Sequence, residues 1–109
     1  MKRILFFSIP LLVSLNLFAK EVYIEPGPNA QERLQEALIL IEEGDTLIIK
    51  SGYYKFEDGL SLDVDDVTVK GEGINSTILD FKNQQSGAQG LLVTSDRVTL
   101  SDFSILDAK

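Results

Sequence analysis

Residues 60–74, LSLDVDDVTVKGEGI, lie over residues 91–105, LLVTSDRVTLSDFSI, when the sequence is shifted by 31 positions. Identical residues occur at Leu60/Leu91, Val67/Val98, Thr68/Thr99 and Ile74/Ile105, and Asp65/Asp96 keeps the acidic turn residue. A weaker copy starts 20 residues earlier and places Leu47, Ile49 and Lys50 over Val67, Val69 and Lys70. Repeats of this length with short strands are typical of a solenoid, in which successive coils stack their apolar residues into one internal column.

Short runs of β-branched and aliphatic residues fill the chain after Gly44. The strands predicted from them are 46–49, 60–62, 67–69, 77–79, 91–93, 98–100 and 104–106, preceded by a strand at 22–24. Turn residues such as Gly71-Glu72-Gly73 separate the runs, and residues 82–90 fit an outward loop. This pattern excludes a helix bundle and a doubly wound sheet. An antiparallel sandwich is the alternative, but only Asp58-Gly59 resembles its two-residue hairpin turns.

One amphipathic helix is predicted over residues 29–43. Asn29 and Glu32 have the spacing of a capping box, and Gly44 marks the end of the helix. A core-facing stripe recurs at helical spacing through Leu34, Ala37, Leu38 and Ile41. The end of a solenoid exposes apolar residues and unpaired strand edges, so we expect this helix to cover the N-terminal end. A role of the stripe in binding a partner is the alternative.

The composition removes several classes of function. The 109 residues contain no His and no Cys, which excludes Ser-His-Asp and Cys-His catalysis, disulfides and thiolate or imidazole metal sites. The chain carries 17 acidic and 10 basic residues, a net charge of −7, and no basic cluster. A nucleic-acid partner is therefore not expected.

Residues 1–19 have the pattern of a secretory signal peptide. Lys2 and Arg3 precede an apolar segment, and the small residue Ala19 marks a cleavage point; Leu17, at the third position before the cut, is larger than usual. A membrane anchor is the alternative, but the apolar stretch is only 16 residues long and contains Pro10. We therefore predict an exported, periplasmic or extracellular protein that makes no membrane contact after cleavage and has a mature net charge of −9.

Several motifs resemble the opening of a right-handed parallel β-helix of the pectate-lyase-like superfamily. They are the helix, then Gly44-Asp45-Thr46-Leu47-Ile48, Ser51-Gly52-Tyr53-Tyr54, and Val67-Thr68-Val69-Lys70-Gly71-Glu72-Gly73. The chain is most similar to the parallel β-helix repeat-containing proteins. The resemblance implies an all-β solenoid, in which the strand and capping helix at 20–44 follow the predicted signal peptide 1–19 and precede the first coils at 45–109. The remainder of the β-helix is expected to stack on the C-terminal end.

The resemblance also implies a function. Many members of the superfamily act on acidic polysaccharides as lyases, hydrolases or C5-epimerases, and others serve in periplasmic assembly. We therefore expect the N-terminal segment of a protein that binds or modifies carbohydrate through further coils, with no catalysis in these 109 residues. A non-catalytic scaffold for surface interaction or periplasmic assembly is the alternative. The acidic charge weakens the case for a polyanionic substrate unless cations intervene.

The strongest candidate metal site is the acidic cluster Asp63, Asp65 and Asp66, because Ca²⁺ takes six to eight oxygen ligands. The alternative is a solvated turn between strands, since the repeat replaces Asp63 with Thr94 and Asp66 with Arg97. No other cofactor is expected.

Further candidates are carboxylates and aromatic side chains near strand ends. A pair suited to acid–base work on a glycosidic bond could come from Asp80, Asp102 and Asp107. Sugar rings could stack on Tyr53, Tyr54 and Phe56, although a Tyr after a turn Gly more often packs under the helix.

Overall fold

A computed structural model describes residues 19–108, so the predicted signal peptide lies almost entirely outside the described residues. The elements are β1 (Glu21–Ile24), α1 (Ala30–Leu40), β2 (Thr46–Ile49), β3 (Gly52–Lys55), β4 (Asp58–Leu62), β5 (Thr68–Lys70), β6 (Thr77–Asp80), β7 (Ser86–Val93), β8 (Thr99–Ser101) and β9 (Ser104–Leu106). Helix α1, the single helix of this range, is too short to cross a bilayer.

The strands form three parallel sheets, and the chain visits them in a fixed order. The first sheet has the order β1-β2-β5-β8, the second β3-β6-β9 and the third β4-β7. Each lap of the chain therefore adds one strand to each sheet in turn, and every pairing among the described strands is parallel. This strand-rich arrangement is consistent with a β-helix-like fold and excludes the antiparallel sandwich.

The strand register confirms the longer repeat and corrects the shorter one. Thr68 pairs with Thr99, and Leu60 pairs with Leu91, which is the predicted shift of 31. Leu47, however, pairs with Val69 rather than Val67. Alternation along a strand fixes which residues face inward, so buried Leu47 aligns with buried Val69, and Lys50 is not equivalent to Lys70.

The final equivalence in the longer repeat is also wrong. Ile74 lies in an exposed turn, whereas Ile105 pairs with Leu79 of β6. The connection between the first and second sheets is longer in the second lap than in the third. A rigid shift of the sequence therefore loses the register there.

Two strand predictions also need correction. Strand β3 is absent from the predicted strands because Ser51-Gly52 has the composition of a turn, although Tyr54 and Phe56 alternate inward after it. Strand β7 spans Ser86–Val93, so part of the predicted 82–90 loop is extended. The side-chain amide of Gln84 is buried and donates to the carbonyls of Ser86, Gly87 and Gln89, which orders the backbone before Leu91.

The core fills the space between the three sheets and the helix. Its aliphatic members are buried at alternate strand positions, and an aromatic stack links Tyr54, Phe56 and Phe81. The Phe56 and Phe81 ring centroids lie 5.0 Å apart. Burial of each such side chain stabilises the fold by about 1.5–3 kcal/mol, which matters in a chain without disulfides.

Helix α1 covers one end of this core. Leu34 and Leu38 are buried and border the same small internal gap as Ile49 and Leu60. The helix ends at Leu40, three residues before the predicted end, and Ile41 is buried in extended conformation. The helical stripe thus contributes to the core as predicted, but its last member does so from outside the helix.

The predicted capping box is not formed within the described part of the chain. Asn29 does occupy the N-cap position, and its carbonyl accepts the first helical hydrogen bond from Arg33 N–H at 3.0 Å. Its φ of 61° is left-handed, however, and its side chain makes no capping hydrogen bond. A capping side chain normally needs an extended backbone to reach the free N–H groups of the first turn. Glu32 lies in that first turn.

Two glutamines one helical turn apart satisfy the free edge of β4. Gln35 accepts from Ser61 N–H at 3.0 Å and donates to the Ser61 carbonyl at 3.1 Å. Gln31 accepts from the N–H of Glu57 and donates to the Asp58 carbonyl, both at 2.8 Å. The helix therefore replaces a missing strand with side-chain amides, which protects an edge that would otherwise be open to pairing.

Candidate functional site

The outer face of the second sheet carries an exposed aromatic side chain beside a shielded carboxylate. Tyr53 and Lys55 of β3 point outward because Tyr54, between them, points into the core. Asp80 of β6 lies directly across from Lys55 in the register. Three strand positions thus place an aromatic ring, an ammonium and a carboxylate on one surface.

Tyr53 and Asp80 are joined by a hydrogen bond. The Tyr53 hydroxyl donates to Asp80 Oδ2, and the N–H of Lys82 donates to Asp80 Oδ1 at 2.8 Å. The hydrogen bond from Tyr53 holds the pKa of Asp80 below its usual value, and the same bond raises the pKa of Tyr53. The proton therefore stays on the tyrosine at neutral pH. The bond fixes the orientation of a ring that is still 51% exposed.

A groove of about 980 Å³ runs between this edge of the sheet and the start of the helix. Its polar and charged lining includes Asn29, Gln31, Glu32, Lys55, Glu57, Asp58 and Asn83, with Tyr53 beside them. Three of these side chains are acidic and one is basic. The amides of Asn29 and Asn83 beside an exposed ring suit a polar, ring-shaped ligand, and the excess of carboxylates disfavours a polyanion.

The other two predicted aromatic residues belong to the core. Tyr54 and Phe56 are buried, and the Tyr54 hydroxyl donates to the Lys50 carbonyl at 2.7 Å. Burial raises the pKa of Tyr54 to about 12. Tyr53 is therefore the member of this aromatic set that can contact a ligand, whereas Tyr54 and Phe56 are buried in the core.

The three predicted acid–base carboxylates are not equivalent. Asp102 and Asp107 both occupy left-handed turn positions, with φ of 64° and 54°. The negative charge of Asp107 is among the causes that raise the pKa of Tyr53, after the hydrogen bond to Asp80. Asp80 alone is shielded, and its two oxygens already accept hydrogen bonds from Tyr53 and Lys82.

The acidic cluster connects neighbouring laps. Asp63 accepts from the Thr94 hydroxyl at 2.9 Å, and Asp65 accepts from Asp96 N–H at 2.8 Å. Arg97 binds both oxygens of Asp66, at 2.6 and 3.1 Å, and holds the pKa of that carboxyl below its usual value. No group of three metal-ligating side chains occurs among residues 19–108, and both oxygens of Asp66 already accept hydrogen bonds from Arg97. The calcium site stays a prediction.

The sequence did not reveal the pairing of Tyr53 with Asp80. The two residues are 27 positions apart and meet only because β3 and β6 are neighbours. The repeat could have indicated this neighbourhood, but β3 itself was missed. An exposed Tyr alternating with a buried Tyr was the available signal.

Comparison with known proteins finds a distant structural likeness. No family model matches the sequence, and no curated protein matches it. A similar solved structure is that of the PL6 family alginate lyase AlyGC, with 17% sequence identity and a TM-score of 0.43. The match covers 81% of this chain and 16% of that chain, so this chain spans about a sixth of the lyase. The likeness is too distant to indicate a substrate or a reaction.

Proposed function

We propose that residues 20–109 are the opening coils of an exported, right-handed parallel β-helix protein that binds carbohydrate. Three parallel sheets visited in a repeating order support the fold. The motifs from Gly44 to Gly73 support the hand of the winding and export through their resemblance to the pectate-lyase-like superfamily. Further coils would stack on β7, β8 and β9, whose apolar side chains are partly exposed.

The observation that carries carbohydrate binding is the fixed, exposed ring of Tyr53 at the rim of a polar groove. A pyranose ring can lay its apolar face on the tyrosine while its hydroxyls meet the amides of the groove. Because acidic side chains outnumber basic ones there, a neutral glycan fits better than a uronate chain. A uronate chain would need a bridging cation.

The test compares two tyrosines with matched exposure. Tyr53 is 51% exposed and Tyr23, on the first sheet, is 52% exposed, and each donates its hydroxyl to a carboxylate. Binding to a panel of neutral and acidic polysaccharides would be measured by affinity electrophoresis and calorimetry. Tyr53→Ala should weaken binding about tenfold or more, whereas Tyr23→Ala should leave it unchanged. Equal effects of the two substitutions would refute the site.

A non-catalytic scaffold is the second candidate function. It is favoured by the apolar residues Leu100, Ile105 and Leu106, which are about two-fifths exposed at the same end of the sheets. Such a surface suits stacking against another β-strand layer. Absence of binding to every glycan in the panel, with the fold intact, would favour the scaffold over the carbohydrate-binding protein.

A further inference from the structure

The fully buried carboxylate of Asp45 forms a hydrogen bond with the backbone just before strand β1. The side chain of Asp45 accepts from the backbone N–H of Lys20 at 3.0 Å and from that of Glu42 at 3.0 Å. The carbonyl of Lys20 accepts from Thr46 N–H at 3.0 Å. Lys20 is thus held at both its nitrogen and its carbonyl, directly after the predicted cleavage point at Ala19.

Before cleavage of the Ala19–Lys20 bond, the acidic side chains around Lys20 outnumber the basic ones. The Lys20 ammonium lies 2.7 Å from Asp45 and 3.1 Å from Glu42, so one cation faces two carboxylates. Burial alone would raise the pKa of Asp45, but the hydrogen bonds from Lys20 and Glu42 outweigh it, and the pKa lies below its usual value. The carboxylate therefore stays ionised.

We propose that Asp45 is a binding site for the α-ammonium group created when the Ala19–Lys20 peptide bond is hydrolysed. Water supplies the second oxygen of the Ala19 carboxylate, and the two protons of that water convert the released Lys20 nitrogen, which kept its own hydrogen, into an ammonium. The nitrogen already lies 3.0 Å from Asp45 Oδ1, so cleavage replaces an uncharged donor with a charged one and creates an ion pair without moving the strand. Two cations then face two carboxylates.

This inference rests on the export part of the proposed function and gives it a structural consequence. Removal of the signal peptide would stabilise the folded chain, because a charged donor replaces an uncharged one in the hydrogen bond to the Asp45 carboxylate. The alternative is that Asp45 only caps the turn before β2, a role that an uncharged amide at residue 20 fulfils equally well. The pKa of the α-amino group separates the two, since only an ion pair raises it.

The first measurement uses the complete 109-residue chain, expressed with export in a bacterium. The mass of the exported product should place its N-terminus at Lys20, and any other N-terminus would overturn the proposal. The pH dependence of α-amine acetylation, read by mass spectrometry of the N-terminal peptide, then gives the pKa. We expect it to lie at least about one pH unit above the ordinary 7.7–8.0. An ordinary value in the folded protein would also overturn the proposal.

Matched forms locate the cause of the shift. A form that retains Ala19 moves the ammonium one residue away from Asp45, and Asp45→Asn removes the partner charge. Both should have an ordinary α-amino pKa, while Asp65→Asn, at a partly exposed carboxylate, should keep the raised value. If Asp45→Asn fails to fold, the Ala19 form decides the question. Loss of glycan binding in Tyr53→Ala is measured on the same exported protein, so the carbohydrate proposal can fail while this one holds, and the reverse.

Discussion

Residues at equivalent positions of the repeat differ in solvent exposure between the two ends of the stacked sheets. Val69 and Leu100 are paired in the first sheet, yet Val69 is 2% exposed and Leu100 is 43% exposed. Leu79 and Ile105 are paired in the second sheet and are 1% and 39% exposed. At the other end, helix α1 closes the first lap. Position in the repeat therefore does not determine burial; a covering layer does.

The two ends also differ in how the hydrogen-bonding groups at a strand edge are satisfied. Strand β4 is bonded to β7 on one side and to Gln31 and Gln35 of the helix on the other. Strands β8 and β9, by contrast, each have one described strand partner. Apolar side chains and backbone groups are exposed together at that end. Stability should therefore be concentrated in the first two laps and decrease toward β9.

The largest effect should be the loss of stability on truncating a covered residue, compared with truncation of its uncovered equivalent. Leu79→Ala should lower the free energy of unfolding by about 2–5 kcal/mol, because it leaves a cavity between two laps. Ile105→Ala should cost less than about 1.5 kcal/mol, since the site is already in contact with solvent. Urea unfolding of both variants gives the difference from the midpoints, provided that the slopes agree. Equal losses would show that Ile105 is covered in solution.

The next effect concerns the helix that covers β4. Gln35→Ala removes both hydrogen bonds to Ser61 and should cost about 1 kcal/mol, although alanine itself favours the helix. Glu36→Ala, at the adjacent exposed position, is the control and should be neutral or slightly stabilising. The same urea experiment applies. A loss for Glu36→Ala as large as that for Gln35→Ala would remove the argument that glutamines replace a strand.

A pH-dependent effect is expected at the helix-covered end. The pKa of Asp45 is lowered in the folded state, so its contribution to stability is present above the unfolded value of about 3.9 and is lost as the pH falls through the folded value. Thermal unfolding between pH 7 and pH 2 should therefore show a steep loss below about pH 4. In Asp45→Asn the loss should be shallower, with Asp63→Asn as the control. Parallel curves for wild type and Asp45→Asn would contradict this contribution.

Sequence reasoning succeeded where neighbouring residues carry the information. The 31-residue shift matched the pairing of β5 with β8, and the helical stripe matched the burial of Leu34 and Leu38. It failed where the geometry depends on distant parts of the chain. The Asn29 cap depends on the path by which the preceding turn enters the helix, and the Tyr53–Asp80 bond depends on strand neighbours 27 residues apart. The spacing of residues along the sequence indicates neither the cap geometry nor this hydrogen bond.

The smallest effect should come from the acidic turns between laps. Arg97 bridges Asp65 and Asp66 on the surface, at 3.7 and 2.6 Å, where water and salt screen the attraction. Arg97→Gln should therefore change the melting temperature only slightly at low salt and not measurably at 1 M NaCl.

The same substitution, Arg97→Gln, also removes the cation that lies among these carboxylates. If Asp63, Asp65 and Asp66 can hold Ca²⁺, the variant should bind it more tightly than wild type by calorimetry, with Asp66→Asn in the same background as control. Equal affinity in wild type and Arg97→Gln would show that the guanidinium does not compete with the ion, and would place any calcium site elsewhere in the protein.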